Sequence, residues 1–250
     1  MVLIIQHLTS QCKDDFVSTM NLQKNWFSKN VAELVSELFD SWSIFILTEA
    51  PEYQSMFELG MLCLSHQDRA LSYFTLEFWE HLKNDYKSNL AQSTENLNFI
   101  FKQAYCEIFK RLFTQSRIKD DSEIRILEKP RDGSKRCIDV DEEEDVFLEV
   151  DRDKFPSIDL AGYRIAAEDV FYSVYHIYTL QCGPDGTNLF MDLISDFISQ
   201  NKLVADNPGM SQANLQQLYL LNVECSLYTL RAVKDFVYRD NAKNPFIGNI

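Results

Sequence analysis

One stretch limits the possible folds of this chain more than any other, the segment HQDRALSYFTLEFWEHLKNDY at residues 66–86. It begins with a polar turn, and its large apolar residues then recur at spacings of three, four and four. These residues are Leu71, Phe74, Phe78 and Leu82, with Trp79 beside them. Such spacing is typical of one face of an α-helix. Because so wide an aromatic face must leave water, the segment predicts a helix that packs against other helices.

Similar apolar repeats predict helices along most of the chain. We predict helices at about residues 28–49, 52–64, 69–86, 93–117, from 158 onward, 187–200 and 212–239. Ser28 is placed to cap the first of them, and residues 183–186 form a turn. Trp26, Trp42 and Trp79 are expected to pack between helices.

Four of these helices have apolar stripes that we expect to be buried. The stripes are Val31, Leu34, Leu38, Trp42 and Phe45 in the first helix; Leu97, Phe101, Ala104, Ile108 and Leu112 in the fourth; Leu160, Tyr163, Ala167, Val170, Val174 and Ile177 in the fifth; and Leu218, Leu221, Cys225, Tyr228, Ala232 and Phe236 in the last. The short connections between helices indicate antiparallel neighbours.

Composition agrees with long helices and few tight turns. The 250 residues include only 7 glycines and 6 prolines, which argues against an all-β sandwich. No apolar run approaches the ~20 residues of a membrane span, so we expect no membrane insertion. The start MVLIIQHL has no basic region and is not predicted to be a signal peptide. It also has no helix cap, which favours a fragment that begins inside an array of repeats.

The charge of the chain restricts its partners. Its net charge is −14, which repels nucleic acid phosphates, so direct binding of DNA or RNA is not expected. The same charge attracts basic protein segments.

Motifs for catalysis or metal binding are absent from the sequence. It contains no Gly-rich phosphate loop, no GxSxG elbow and no HExxH spacing, so we expect no enzyme and no cofactor. The six cysteines form no CxxC pair, which is typical of reduced thiols. Cys63 and His66 have the spacing that begins some zinc sites, but no second pair follows, and a core cysteine beside a turn histidine is the simpler interpretation. His81 and His176 are interpreted as surface or half-buried residues.

The segment 118–157 has no helical stripe. Apolar runs at 124–127 and 137–140 are consistent with two short strands around a turn. A dense acidic run at 139–153 follows, without the ligand spacing of an EF-hand loop. Its simplest interpretation is a solvated loop; the alternative is a strip that docks a basic partner, which would relieve repulsion between carboxylates. The candidate docking residues are Asp139, Asp141, Glu142, Glu143, Glu144 and Asp145.

Together these patterns predict an all-α fold. Antiparallel helix pairs fit an α-solenoid of HEAT-like repeats, whose period is ~40–47 residues. The repeats would occupy residues 1–117 and 158–250 as one continuous solenoid, with the acidic loop or insertion at 118–157 between them. A single compact helical domain is the alternative.

Three stretches resemble the importin-β (karyopherin) family of nuclear transport receptors, in its transportin-SR and importin-13-like branch. In 66–86, FTLEFWEHL is similar to an aromatic "F-W" helix after a polar turn. Residues 159–175 resemble the "D-F/Y-R-x-x-x-x-D" helix that follows an acidic loop in that branch. Residues 222–238 resemble the "W-E-x-x-E-A-x-L-F" helix, with Glu224 at the second glutamate; Leu221 and Asn222 stand near the places of its Trp and first Glu.

The resemblance implies a function in nuclear transport. Such receptors wrap protein cargo, bind the GTPase Ran and contact Phe-Gly repeats of nuclear pore proteins, in both cytoplasm and nucleus. The family binds Ran chiefly through N-terminal repeats, to which this chain has no match. Negative charge favours basic cargo. The alternative is a helical-repeat scaffold or adaptor outside nuclear transport.

Overall fold

The computed structural model describes residues 13–19, 26–46, 51–89, 95–119, 123, 158–183, 185–204 and 212–241. In these residues all regular structure is helical, which confirms the all-α prediction. The helices are α1 (13–19), α2 (Trp26–Ile46), α3 (Pro51–Leu64), α4 (Arg69–Tyr73), α5 (Leu76–Asn89), α6 (Glu95–Ser116), α7 (Leu160–Cys182), α8 (Asp185–Val204) and α9 (Gln212–Asn241). Within this part of the chain, no helix is long and apolar enough to cross a bilayer. The two predicted strands lie outside the described residues.

The predicted stripes of α6 and α7 are confirmed. Every stripe residue in these two helices is buried, and the two helices pack directly on each other. The stripe of α9 is confirmed in part, because Cys225 and Tyr228 are buried whereas its other members are only partly covered.

Helix α2 differs from its prediction at its start and at Leu34, whereas Val31 of the predicted stripe is buried and Leu38 packs against the core. It begins at Trp26, so Ser28 is not a cap; it lies in the first turn, where its Oγ is 2.6 Å from Thr19 Oγ1. Leu34 is exposed, and Ala32 and Val35 are buried instead. The predicted stripe and the pair Ala32 and Val35 both have helical spacing. The position of α3 and α5 against α2 therefore decides which of these side chains are buried.

The prediction that all three tryptophans pack between helices is correct for Trp79 and wrong for Trp26. Trp79 is fully buried, and its ring makes an edge contact with Phe57 of α3. Trp26 is exposed at the start of α2, with Lys29 Nζ 5.0 Å from its ring centroid. The side chain of Trp42 lies outside the described residues.

The aromatic helix predicted after residue 68 is two helices, not one. α4 ends at Tyr73 and α5 begins at Leu76, with a turn between them. Thr75 Oγ1 donates to the carbonyl of Ser72 at 2.9 Å, and this local bond competes with a continuous helix. As a result Phe74 is only partly buried, while the remaining stripe residues are fully buried.

Contacts between helices fix their directions. α6 and α7 are antiparallel, since Lys102 lies near Tyr178 and the carbonyl of Ser116 near Arg164. α7 and α8 form a hairpin, with the rings of Tyr175 and Phe190 5.5 Å apart.

Alternate helices run parallel to each other. In one set, Lys83 of α5 lies over Tyr172 of α7, and Gln181 of α7 donates to Tyr86 of α5. Tyr172 also stacks on Phe236 of α9. Earlier in both helices, Arg164 of α7 binds Glu224 of α9, so α7 and α9 are parallel. In the other set, α6 and α8 are parallel: Phe109 contacts Phe190 and Phe113 contacts Phe197.

The connection between α7 and α8 is shorter than predicted. Gly183 has a φ of +56°, which favours glycine, and its N–H donates to the carbonyl of Thr179 at 2.9 Å. α8 already begins at Asp185. Gly186 in its first turn lies so close to the Tyr178 carbonyl that a Cβ there would overlap it.

Candidate functional site

The predicted docking residues of the acidic run lie outside the described residues. The nearest described residue before this run is Glu123, which belongs to a set of polar side chains at the carboxyl-terminal end of α6. We call this set the α6-end cluster; it consists of Arg69, Gln115, Arg117, Lys119, Glu123, Arg164 and Glu224.

Arg69, the first residue of α4, holds the end of α6 from one side. Its Nε donates to the carbonyl of Gln115 at 2.7 Å, and its Nη2 donates to the carbonyl of Arg117 at 2.8 Å. The guanidinium also binds both carboxylate oxygens of Glu123. Asp68 positions this arginine by capping α4, since its carboxylate accepts from the N–H of Ala70 at 3.1 Å.

Arg164 holds the same helix end from the other side. Its Nε donates to the carbonyl of Ser116 at 2.8 Å, and its two Nη atoms donate to the two oxygens of Glu224, each at 2.6 Å. The guanidinium carbon lies 4.6 Å from the ring centroid of Tyr228. Burial lowers the pKa of Arg164, but the hydrogen bonds and charge of Glu224 outweigh burial and the pKa is raised.

Two arginines therefore satisfy three successive carbonyls at the end of α6. The last carbonyls of a helix have no partner within the helix and carry partial negative charge, so cationic donors stabilise this position. Because α4, α7 and α9 each contribute a side chain, the cluster also joins four helices. Its arginines act on the fold and are not aimed at a ligand.

Lys119 lies where the chain leaves the cluster toward the acidic run. Its Nζ donates to the carbonyl of Gln67 at 2.9 Å and to Gln115 Oε1 at 3.2 Å. Partial burial, together with the positive charge of Arg69, lowers the pKa of Lys119 to about 8. Its backbone N–H donates to Glu123 Oε2 at 2.6 Å, which fixes the first described residues after α6.

The described residues contain no group of three His, Cys, Asp or Glu side chains that fits a metal ion. Cys63 and His66 are both fully buried, and His66 Nδ1 accepts from the N–H of Asp68 at 3.0 Å. Burial raises the pKa of the Cys63 thiol, and it raises that of Cys225 to about 12. Both thiols are therefore protonated and unreactive at neutral pH. His81 is exposed and His176 is half-buried against Tyr172, as predicted.

The sequence patterns did not identify these two arginines as residues that join helices. A usable signal was present: Arg164 directly follows the stripe residue Tyr163, and a cation beside a buried stripe needs a buried partner. Arg69 likewise follows a capping aspartate and precedes Leu71. Their partners are 46 to 60 residues away in the chain, so spacing alone does not reveal them.

Comparison of this chain with protein-family models, curated proteins and solved structures finds no match. The resemblance to nuclear transport receptors therefore depends on the residues of its three stretches.

Proposed function

We propose that this chain is a protein-binding segment of a nuclear transport receptor of the importin-β type, built as an α-solenoid of HEAT-like helix pairs. The observation that carries the proposal is the bidentate bridge between Arg164 and Glu224. Each residue stands at a motif position of a stretch that resembles the transportin-SR and importin-13-like branch. Motif residues that hold neighbouring repeats together are expected to meet in space, and these two do.

The directions of the helices support the solenoid part of the proposal. Chain neighbours α6, α7 and α8 are antiparallel in sequence, while α5, α7 and α9 are parallel, as are α6 and α8. Stacked helix pairs produce this alternation, since equivalent helices of successive pairs lie side by side. The helices before and after the acidic segment pack on each other, so the array would be continuous across it.

In this proposal the protein works by binding and catalyses nothing. Cargo with a basic surface would be attracted by the net charge of −14, with Asp139, Asp141 and Glu142–Asp145 as the docking strip. Ran, bound mainly through other repeats, would release cargo by favouring a different curvature of the array. Phe-Gly repeats of pore proteins would bind between helices, and the protein would move between cytoplasm and nucleus.

The test is capture of the full gene product by immobilised Ran loaded with GTP or with GDP. We expect selective capture by the GTP form. A circular dichroism spectrum typical of folded helices is the control for the protein used. If that folded protein is captured by neither form, the result would contradict the proposal and favour a scaffold or adaptor outside nuclear transport. Equal capture by both forms would also contradict it, because directional transport requires the difference between them.

A further inference from the structure

His66 lies in the turn between α3 and α4, at a point where several parts of the protein meet. Its ring is fully buried, and the centroid of the ring is 5.6 Å from that of Phe16 in α1. Its N–H donates to the carbonyl of Cys63 near the end of α3, and its own carbonyl accepts from Gln115 Nε2 of α6 at 2.7 Å. One residue of a short turn therefore contacts α1, α3 and α6.

The hydrogen bond at Nδ1 of this histidine requires a neutral imidazole. Nδ1 accepts from the backbone N–H of Asp68 at 3.0 Å, so the single proton of the neutral ring is on Nε2. A second proton would have to bind Nδ1, where it would point at the N–H of Asp68. Two donors would then face each other, and the Asp68 N–H would lose its acceptor inside the protein.

The surroundings of the ring are also unfavourable for a positive charge. From α1 the ring meets Phe16 and the backbone of Thr19, and the charged groups that act on it are Asp68 and, beyond the end of α6, Lys119. Burial lowers the pKa of His66, the charge and backbone of Asp68 and the backbone of Thr19 raise it, and the charge of Lys119 lowers it. The net result is a lowered pKa, so the proton binds more readily when the turn is open to water.

This difference gives the direction of the pH effect on the turn. An open turn binds the proton with the ordinary histidine pKa of 6.5, whereas the closed turn binds it more weakly. As the pH falls below 6.5, the equilibrium therefore moves toward the open turn, and the movement ends once the pH reaches the lowered pKa.

Opening of the turn would remove one side of the α6-end cluster and leave the other. Arg69 follows the turn directly, and its hydrogen bonds to the carbonyls of Gln115 and Arg117 depend on where the turn lies. Phe16 would lose the ring against which it packs, so α1 would also be released. The other side of the cluster is held by Arg164 of α7, which binds α6 and α9.

We propose that His66 is a pH-sensitive latch: its protonation opens the turn between α3 and α4 and releases α1 and the α4 side of the α6-end cluster, while α6 to α9 stay packed. The latch is closed above about pH 6.5 and opens progressively in mildly acidic solution. The opening is a local event that precedes unfolding of the whole chain. This inference does not depend on a role in nuclear transport.

Two buried cysteines of the chain allow the opening to be measured. Cys63 reports it, because its thiol is fully buried three residues before His66. Cys225 is the internal control, since it is equally buried but packs between α9 and α6. The full chain is treated with dithiodipyridine at pH 7.5 and at pH 5.5, and mass spectrometry of proteolytic peptides gives the labelling rate of each cysteine. The ratio of the two rates cancels the pH dependence of the reagent.

We expect the labelling rate of Cys63 relative to Cys225 to rise roughly five- to tenfold from pH 7.5 to pH 5.5, because one proton with an open-state pKa of 6.5 allows about tenfold at most. His66→Gln should abolish the rise. A constant ratio would overturn the proposal, including the case in which both rates rise together and the whole fold loosens. A rise that persists in His66→Gln would overturn it as well.

Two further variants test whether the charge on His66 drives the opening. Asp68→Asn keeps a capping side chain for α4 but removes a negative charge that favours the proton in the closed turn, so the rise should become larger. Lys119→Gln removes a positive charge that opposes the proton, so the rise should become smaller. A purely structural role of His66 does not predict opposite effects. Changes in the same direction, or no change in either variant, would overturn the proposal.

Discussion

The ring of Phe109 packs against four other aromatic rings of the described core. Its ring lies within 6 Å of the rings of Phe113, Phe171, Phe190 and Phe197, which belong to α6, α7 and α8. Removing this ring would leave a cavity among side chains that have few other ways to pack.

We expect Phe109→Ala to lower the free energy of unfolding by about 3–5 kcal/mol, measured by urea denaturation. Phe99→Ala is the matched control, because Phe99 is on the same helix and 59% exposed. The control should change stability by less than about 0.5 kcal/mol. Alanine has the higher helix propensity, so a loss of helix propensity cannot explain destabilisation in either variant. Similar losses for both would contradict the central packing role of Phe109.

His66 makes stability depend on pH. Burial lowers its pKa below the usual 6.5, although the negative charge of Asp68 acts in the opposite direction. The unfolded chain therefore binds this proton more readily than the folded protein does. Above about pH 6.5, His66 is neutral in both states and does not change the free energy of unfolding. As the pH falls from 6.5 toward the lowered pKa, protonation of His66 in the unfolded chain reduces that free energy.

We expect His66→Gln to reduce the difference in unfolding free energy between pH 7.5 and pH 5.5. Urea denaturation at the two pH values measures it, and His81→Gln is the control, because His81 is exposed on α5. An unchanged difference in His66→Gln would show that other groups cause the acid sensitivity.

At the scale of the helices, the α6-end cluster decides how α6, α7 and α9 are joined. Arg164 acts through the shape of its guanidinium as well as through its charge. The guanidinium donates hydrogen bonds to the Ser116 carbonyl and to both carboxylate oxygens of Glu224 at once. A lysine would keep the charge but lose the planar set of donors.

Arg164→Lys should therefore cost about 1.5–3 kcal/mol of unfolding free energy. Arg231→Lys is the control: Arg231 pairs with Glu168 across the same two helices, at 3.7 Å and with greater exposure, so its loss should cost about 0–1 kcal/mol. Thermal unfolding followed by circular dichroism compares them. Equal effects would mean that charge alone joins these helices.

The turn between α4 and α5 shows where the sequence patterns stop being informative. Spacing correctly predicted helical structure and the burial of Leu71, Phe78 and Leu82, because one face of a helix recurs regularly. It did not predict the break at Phe74, which depends on the hydroxyl of Thr75 and on Ser72, whose own hydroxyl lies 2.8 Å from Tyr163 OH. That tyrosine is 91 residues away in the chain.

At the scale of the whole molecule, the net charge of −14 raises the question whether basic partners respond to the total charge or to the acidic run. We expect replacement of Glu142, Glu143 and Glu144 by alanine to weaken binding of an arginine-rich peptide. The loss should be greater at low salt than at 0.5 M salt, where charges are screened. Fluorescence anisotropy across a salt series measures both.

A variant with the same loss of charge elsewhere is the control. Asp192, Asp196 and Asp235 are exposed on α8 and α9, and their replacement by alanine removes three charges outside the run. If both triple variants lose affinity equally, total charge and not the acidic run attracts the peptide.

The sequence by itself determined that the described part of this chain is helical, and it located the buried stripes of α6 and α7. Helix formation and amphipathic spacing are local properties, and few glycines or prolines interrupt them. Only the tertiary structure decided that Leu34 of α2 is exposed, how Arg69 and Arg164 close the end of α6, and that Leu220 and Leu227 of α9 are exposed. Each of these depends on which surface another helix covers, and that contact joins residues far apart in the chain.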